Sequence, residues 1–234
     1  GKLKYWGNAW YRKHLTVPES DAGRQVSLEV DGAMSYSTIW LNGQFVGGWP
    51  YGYTSYAVDL TPWLKPGAEN VLVIRLDNPP ESSRWYPGGG IYRNVWLVRT
   101  GPVHVAHWGT FVTTPRVSAA AADVVVSVQT DNTTDQPVEV AVATELFTVD
   151  AAGHATGPAV ATGQLVAVKI PGRRQAAAAH SFHLPHPRLW STTQPQRYVA
   201  VTTLRQGDRV LDRAETTFGI RTAVFDAERG FLLN

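Results

Sequence analysis

The sequence predicts an all-β protein, in which a jelly-roll β-sandwich is followed by an immunoglobulin-like β-sandwich. Short alternations of apolar and polar residues recur along both halves of the chain, separated by Gly, Pro, Asn and Asp. No apolar pattern of helical period extends beyond a single turn. Trp and Tyr are unevenly distributed, since 15 of the 18 fall within residues 1–100. We therefore expect two domains of different composition.

The first half is predicted to form about eight strands, the number in a jelly roll. Its strand-like segments are residues 10–17, 26–30, 37–41, 44–46, 56–60, 70–76 and 91–98. Asn42 and Gly43 predict a tight hairpin, because a type I′ turn needs positive φ at both central residues. Thr61 is expected to cap one helical turn. Residues 70–76 are apolar enough to be buried on both faces of a sheet.

The second half repeats this pattern with few aromatic residues and with more alanine and valine. Its strand-like segments are residues 124–130, 138–149, 165–170, 178–184, 198–204 and 210–217. This spacing is typical of a seven-stranded immunoglobulin-like sandwich, although no cysteine pair is present. Residues 176–179 are all Ala, but Gly172 and Pro185 flank them closely and favour a strand over a helix.

Charge and composition exclude several classes of function. The formal net charge is only +2, and the charges are scattered, so neither nucleic acid nor an anionic membrane is expected as a partner. The chain has no cysteine, which excludes disulfides, thiolate nucleophiles and cysteine-ligated zinc. No apolar run approaches the roughly 20 residues of a membrane-spanning helix. The apolar end of the chain suggests an excerpt from a longer polypeptide, and its compartment stays open.

No residue pattern predicts catalysis within the chain. A retaining glycosidase needs two carboxyl groups about 5 to 5.5 Å apart, and no such pair stands out. The turn-associated carboxylates, which we expect to cap backbone amides or face solvent, are Asp31, Asp59, Asp77 and Glu81. The histidines His180, His183 and His186 recur every third residue, but the prolines beside them exclude the helix that would bring them together.

The loop at residues 82–90 is the strongest candidate for a binding site. Trp85 and Tyr86 offer flat rings that can stack on a sugar, and Arg84 offers hydroxyl donors beside them. Three glycines follow, and such a loop is entropically costly unless something uses it. The alternative is that the two rings pack over one end of the sandwich. Residues 49–53 have a similar composition and are expected to form a packed loop.

These motifs resemble glycoside hydrolase family 2. The resemblance rests on the order and spacing of residues 39–47, 59–61, 70–76 and 83–97, and on later segments at 187–191, 195–198 and 217–221. It implies a galactose-binding-like jelly roll over residues 1–100 and an immunoglobulin-like sandwich over 101–218. Residues 219–234 would then lead into a (β/α)₈ barrel, outside this sequence, that carries two catalytic glutamates.

Within this family, residues 83–93 look most like a branch of β-galactosidases. The resemblance implies Arg84 as a hydroxyl donor and Trp85 and Tyr86 as walls of the sugar pocket, with Arg93 holding a turn or an interface. It implies no catalytic residue in this segment and no organic cofactor. Some relatives hold a metal near the active site, but no ligand set is visible in this sequence. The expected partners are a β-galactoside-like carbohydrate and the chain's own barrel, and association with a second copy is left open. The alternatives are the same segment of a β-glucuronidase or β-mannosidase, a stand-alone carbohydrate-binding module, or a structural assembly surface.

Overall fold

Strands account for almost all of the regular structure, and the all-β prediction is confirmed. The computed structural model describes residues 6–82 and 88–234. It contains two compact units, the first ending at Gly101 and the second beginning at Pro102. Among the described residues, no helix is long and apolar enough to span a bilayer.

The first unit is a sandwich of short antiparallel strands. Its described strands are β1 (Gly7–Thr16), β2 (Gln25–Val30), β3 (Ala33–Met34), β4 (Ser37–Leu41), β5 (Gln44–Trp49), β6 (Tyr56–Asp59), β7 (Glu69–Asn78), β8 (Gly90–Ile91) and β9 (Val95–Thr100). One sheet has the order β1-β7-β4-β5, a second has the order β6-β2-β9, and β3 pairs with β8. Alternate apolar residues of both larger sheets, including Leu28, Ile39 and Ile74, share one core.

The hairpin between β4 and β5 forms as predicted. Asn42 and Gly43 are its two central residues, with φ of +53° and +83°, and Leu41 pairs with Gln44 across the turn. Glycine adopts such angles at no steric cost, and asparagine tolerates them. This local geometry sets the register beside the turn, and the register shifts further along, between Ile39 and Trp40.

Two predictions for the first unit need correction. Strand β7 is fully buried on one face only, since Leu72 and Ile74 lie in the core while Val71 and Val73 are half-buried. The helical turn is a 3-10 helix over Thr61–Trp63, but Thr61 does not cap it. The Thr61 hydroxyl instead accepts a hydrogen bond from the Val26 amide at 2.9 Å.

The second unit is also a two-sheet sandwich. Its strands are β10 (Val103–Val117), β11 (Ala121–Asn132), β12 (Val138–Val149), β13 (Ala155–Thr162), β14 (Val166–Ile170), β15 (Arg174–Pro185), β16 (Tyr198–Gln206), β17 (Arg209–Phe218), β18 (Ala223–Asp226) and β19 (Gly230–Leu233). One sheet has the order β10-β11-β15. The other has the order β13-β12-β16-β17, with β14 also on β12. The alanine run at 176–179 lies in β15, which confirms the strand interpretation.

Strands β10 and β13 did not emerge from the sequence pattern. In β10 the pairing with β11 shifts register between Val105 and Thr110, and again between Thr113 and Arg116. Each irregularity breaks the period-2 alternation by which a strand is recognised. Strand β13 lies at a sheet edge and contains Gly157 and Pro158, which sequence patterns associate with turns.

Candidate functional site

The predicted sugar-binding residues Arg84, Trp85 and Tyr86 lie outside the described residues. The structure does describe the two ends of their loop. On one side β7 ends at Asn78, and on the other β8 begins at Gly90. The site is therefore defined by the side chains around these two ends, all of which belong to the first unit.

The carboxyl-terminal end of the loop is held by backbone pairing with β3. Gly90 pairs with Met34, and Ile91 pairs with Ala33, in a two-residue ladder between β8 and β3. The Ile91 amide also donates to the Tyr11 hydroxyl at 3.4 Å. Gly90 has φ of +121°, and a Cβ there would lie 3.1 Å from the same hydroxyl, so this position favours glycine.

Three tyrosines form a rim beside this anchor. The rings of Tyr51 and Tyr53 meet edge to face with centroids 5.5 Å apart, and those of Tyr53 and Tyr92 do so at 6.4 Å. The Tyr92 hydroxyl donates to the Gly52 carbonyl at 2.7 Å. Desolvation raises the pKa of Tyr92, and the neighbouring Arg93 charge offsets part of that rise. The hydroxyl therefore stays protonated near neutral pH and can keep donating.

Small residues let the rim approach the sheet closely. A Cβ at Gly52 would come within 2.6 Å of the Met34 sulfur, and one at Gly32 would come within 2.7 Å of the Tyr92 ring. Both glycines are therefore required by close packing. The tyrosine rings therefore lie at the surface, next to backbone segments that are closely packed at Gly32 and Gly52.

Trp49 precedes these tyrosines in the sequence and has its own packing partners. Its ring stacks on Tyr56 with centroids 6.4 Å apart and planes 18° apart, and its indole N–H donates to the Thr54 hydroxyl at 2.8 Å. Residues 49–53 were expected to form a packed loop. The rings do pack against their neighbours, but Tyr51 remains 53% exposed and Tyr53 42% exposed, so the loop also presents an aromatic surface.

Arg93 holds a turn, as one of its two predicted roles requires. It lies in a bend between β8 and β9 rather than on a strand, and its Nη1 donates to the Asp31 carbonyl at 3.2 Å. The Asp31 carboxylate accepts the Trp96 indole N–H at 3.0 Å. These contacts stabilise the segment that follows the loop.

Two of the three remaining turn carboxylates have structural partners. The Asp59 carboxylate accepts the Thr61 amide at 2.9 Å, as expected of a turn aspartate, and Asp77 pairs with Arg75 at 3.0 Å. Glu81 has φ of +56° and is exposed. In the part of the chain that the structure describes, no cluster of three or more metal-ligating side chains is present.

The three spaced histidines do not converge. His180 lies on β15 with its side chain buried, and His183 lies on the same strand facing outwards. His183 Nδ1 contacts the Asp123 carboxylate at 2.7 Å, across the β11–β15 pairing. These two side chains face opposite sides of the sheet, as alternation along a strand requires for positions three residues apart.

The cluster of Arg116, Asp123 and His183 was missed by the sequence reasoning. The hydrogen bond with His183, followed by that from Arg116, lowers the pKa of Asp123. Shallow depressions of about 340 and 530 Å³ lie beside the three side chains. Asp123 and His183 are 60 residues apart in sequence, and only the strand register brings them together. The geometry is that of a surface network on the outer face of the sheet, in which Asp123 forms an ion pair with Arg116 and a hydrogen bond with His183.

Comparison with known proteins identifies the family. The family model for glycosyl hydrolases family 2 matches residues 103–221, and the model for the glycosyl hydrolase 2 galactose-binding domain-like family matches residues 3–86. The chain belongs to glycosyl hydrolase family 2. The resemblance inferred from the sequence motifs is thereby confirmed.

Similar proteins within family 2 carry two different activities in their names. A β-galactosidase of Bacteroides ovatus is 39% identical over 97% of this chain, which spans 26% of that protein. A β-glucuronidase of Formosa agariphila is 28% identical over 100% of the chain, which spans 25% of it. The chain thus covers about a quarter of the length of these relatives.

Solved structures agree with the fold. A family 2 member from Bacteroides cellulosilyticus superposes with a TM-score of 0.89 at 36% identity, covering 98% of this chain and 31% of that one. A family 2 β-glucuronidase gives 0.88 at 28% identity, covering 98% and 26%. Both matches extend over the two sandwich units.

Proposed function

We propose that this chain is the non-catalytic, amino-terminal part of a retaining family 2 enzyme that hydrolyses terminal β-galactosides. The observation that carries the proposal is the 39% identity to a β-galactosidase across nearly the whole chain. The β-glucuronidase relatives reach 28% to 32% over a similar length. The higher identity supports galactoside specificity over glucuronide specificity.

In this proposal the first unit shapes the entrance of the sugar site. Arg84 donates to sugar hydroxyls, and Trp85 and Tyr86 form walls of the pocket. The described surroundings support this role, because Gly90 and Ile91 fix one end of the loop to β3 and to Tyr11. An anchored loop loses less conformational entropy when a ligand binds.

The chemistry itself is assigned to a (β/α)₈ domain of the whole enzyme. Two glutamates there act as nucleophile and as acid and base, with a covalent glycosyl intermediate and retention of configuration. The two sandwich units support that domain and contribute no catalytic residue. No organic cofactor takes part.

The decisive experiment is a specificity assay of the whole enzyme that contains this chain. We expect the nitrophenyl β-galactoside to be hydrolysed with the highest kcat/KM, above the β-glucuronide and the β-mannoside. Arg84→Ala should lower kcat/KM on the galactoside by roughly tenfold or more, because the variant loses one charge-assisted hydrogen bond to the sugar. Arg209→Ala, at an exposed arginine of β17, serves as the matched control and should leave kcat/KM unchanged.

β-Glucuronidase is the second candidate, because several relatives carry that name and a guanidinium such as that of Arg84 can also pair with a carboxylate. Preferential hydrolysis of the glucuronide would replace the first assignment with this one.

The chain of 234 residues, assayed alone, should show no turnover. Turnover that survives repurification would contradict the assignment of catalysis to another domain.

A further inference from the structure

The outer face of the sheet β1-β7-β4-β5 carries an exposed aromatic cluster. It consists of Trp10, Trp40 and Phe45, and we call it the tryptophan platform. The rings of Trp10 and Trp40 stack with centroids 5.6 Å apart and planes 25° apart, and Phe45 meets Trp40 edge-on at 6.3 Å. None of the three belongs to the loop or the tyrosine rim described above.

Strand register builds the platform. On β7, Arg75 is the partner of Trp10 and Val73 is the partner of Trp40, so the two indoles lie diagonally across this central strand. Ala9 and Leu15 of β1 pack on the core, which turns the even-numbered residues around Trp10 outwards. The platform therefore rests on a paired, rigid sheet rather than on a loop.

The size of the platform argues for a small, flat ligand. Trp10 is 62% exposed, Phe45 is 61% exposed and Trp40 is half-buried. Together they offer an apolar area on the order of 300 Å², since an aromatic side chain presents about 150 to 250 Å² in total. A stable protein partner needs about 800 Å² on each side, and the platform falls well short of it.

A guanidinium that can donate hydrogen bonds to sugar hydroxyls lies on the same face as the rings. Arg12 follows Trp10 by two residues on the same face of β1, is exposed, and forms no ion pair with any residue that the structure describes. Arg75 on the same face is already engaged, because it donates to Asp77 at 3.0 Å and to Asn8. Stacked rings with a guanidinium at their edge match the apolar face and hydroxyl rim of a pyranose.

We propose that the tryptophan platform is a surface binding site for a glycan chain. A pyranose face stacks on the exposed indole of Trp10, and Arg12 donates to a ring hydroxyl. Phe45, inclined to both indoles, contacts the edge of the same glycan beyond Trp40. The proposal does not depend on which glycoside the enzyme hydrolyses. It would let the protein hold a polysaccharide through residues outside the loop at 82–90.

Affinity electrophoresis in native gels tests this proposal, with β-1,4-galactan and hydroxyethylcellulose as the probes. We expect at least one probe to retard the protein. Trp10→Ala and Phe45→Ala should weaken the apparent association by roughly tenfold. Trp10→Phe should keep part of it, because a ring remains. Phe111→Ala is the matched control, because Phe111 is 67% exposed on a strand of the second unit and should not affect retardation.

Further measurements distinguish glycan binding at the platform from misfolding, from binding at the loop and from self-association. Near-ultraviolet circular dichroism and thermal midpoints should show that each variant is folded. Arg84→Ala should leave retardation intact, so failure of the loop proposal would not be mistaken for failure of this one. Absence of retardation by both probes would overturn the proposal. So would unchanged binding in Trp10→Ala, or a dimer that this substitution dissociates, since the platform would then be a contact between copies.

Discussion

The side-chain amide of Asn42 donates to the Asn70 side-chain oxygen at 2.8 Å, which ties the tip of the β4–β5 hairpin to the start of β7. Asn70 is fully buried, and its oxygen also accepts the Lys65 amide at 2.9 Å. Asn42 in turn donates to the Trp63 carbonyl and accepts the Val71 amide. This pair of side chains therefore satisfies the backbone of the turn between the 3-10 helix at Thr61–Trp63 and β7.

Asn70→Ala should strongly destabilise the first unit. The substitution removes the acceptor of the Lys65 amide, one of the two acceptors of the Asn42 side-chain amide, and the donor to the Lys65 and Ala68 carbonyls, at about 1 to 3 kcal/mol for each group left unsatisfied. We expect the free energy of unfolding, measured in urea, to fall by about 3 kcal/mol. Asn94→Ala is the matched control at an exposed asparagine and should change it by less than about 0.5 kcal/mol. Equal effects from the two variants would contradict this account.

Gly90→Ala should lower the activity of the whole enzyme and not only the stability of the fold. A Cβ there strains a backbone at φ of +121° and crowds the Tyr11 hydroxyl. If the loop serves the sugar site, kcat/KM of the whole enzyme should fall by roughly tenfold, as small displacements near a site can cause.

Gly23→Ala provides the control for this prediction. Gly23 has φ of +79°, but a Cβ there meets nothing within 4 Å. It should lower the thermal midpoint slightly and leave kcat/KM unchanged. A loss of activity in both variants would point to general instability instead.

Acidification should weaken the second unit through His180. Burial is the main cause that lowers the pKa of His180, and a backbone hydrogen bond at Gln164 offsets it in part. Below about pH 6.5 the unfolded chain takes up a proton that the folded state resists, so the unfolding free energy falls as the pH drops from there towards the folded pKa. Well above about pH 6.5, the contribution of neutral His180 to the unfolding free energy is fully retained.

Chemical unfolding at about pH 7.5 and about pH 5.5, on either side of the ordinary histidine pKa, checks this dependence. His180→Gln should show a smaller loss of stability between the two pH values than the unmodified protein does. His186→Asn, at an exposed histidine with φ of +46°, should lose as much as the unmodified protein. An unchanged pH dependence in His180→Gln would assign the effect to other groups.

Thr144 and Thr202 form a buried hydroxyl pair at 3.0 Å between β12 and β16. Thr144→Val alone should lower the unfolding free energy by about 1 to 2 kcal/mol, because the Thr202 hydroxyl then lacks its partner. The double variant Thr144→Val and Thr202→Val should recover most of that loss, since both polar groups are gone. A double-mutant cycle in urea measures the coupling, and simple additivity would argue against the pair.

The sequence predicts well those features that depend on local conformation. Asn42 and Gly43 specify their turn because the requirement for positive φ is satisfied within two residues. The strand β2 and the strand around the alanine run were also predicted from local features, namely alternating residues in the first and the flanking Gly172 and Pro185 in the second. Strands β10 and β13 were not, because bulges in the first and Pro158 in the second remove the alternating pattern.

Contacts set by strand register could not be predicted in this way. Nothing near Asp123 indicates His183, and nothing near Trp10 indicates Trp40, until the neighbouring strands are aligned. The tyrosine rim has a weak local signal, since Tyr92 follows the glycine-rich loop by two residues. The roles of Arg84, Trp85 and Tyr86 stay predictions that rest on the family resemblance.

Strand β13 also affects how the protein behaves at high concentration. It forms one edge of its sheet, where unpaired backbone groups could add a strand from a neighbouring molecule. Pro158 offers no N–H for such an addition, Gly157 has φ of +70°, and the pairing with β12 is interrupted between Leu146 and Thr148. This edge is thereby a poor template for fibrillar growth, and the irregular strand protects the molecule against polymerisation through it.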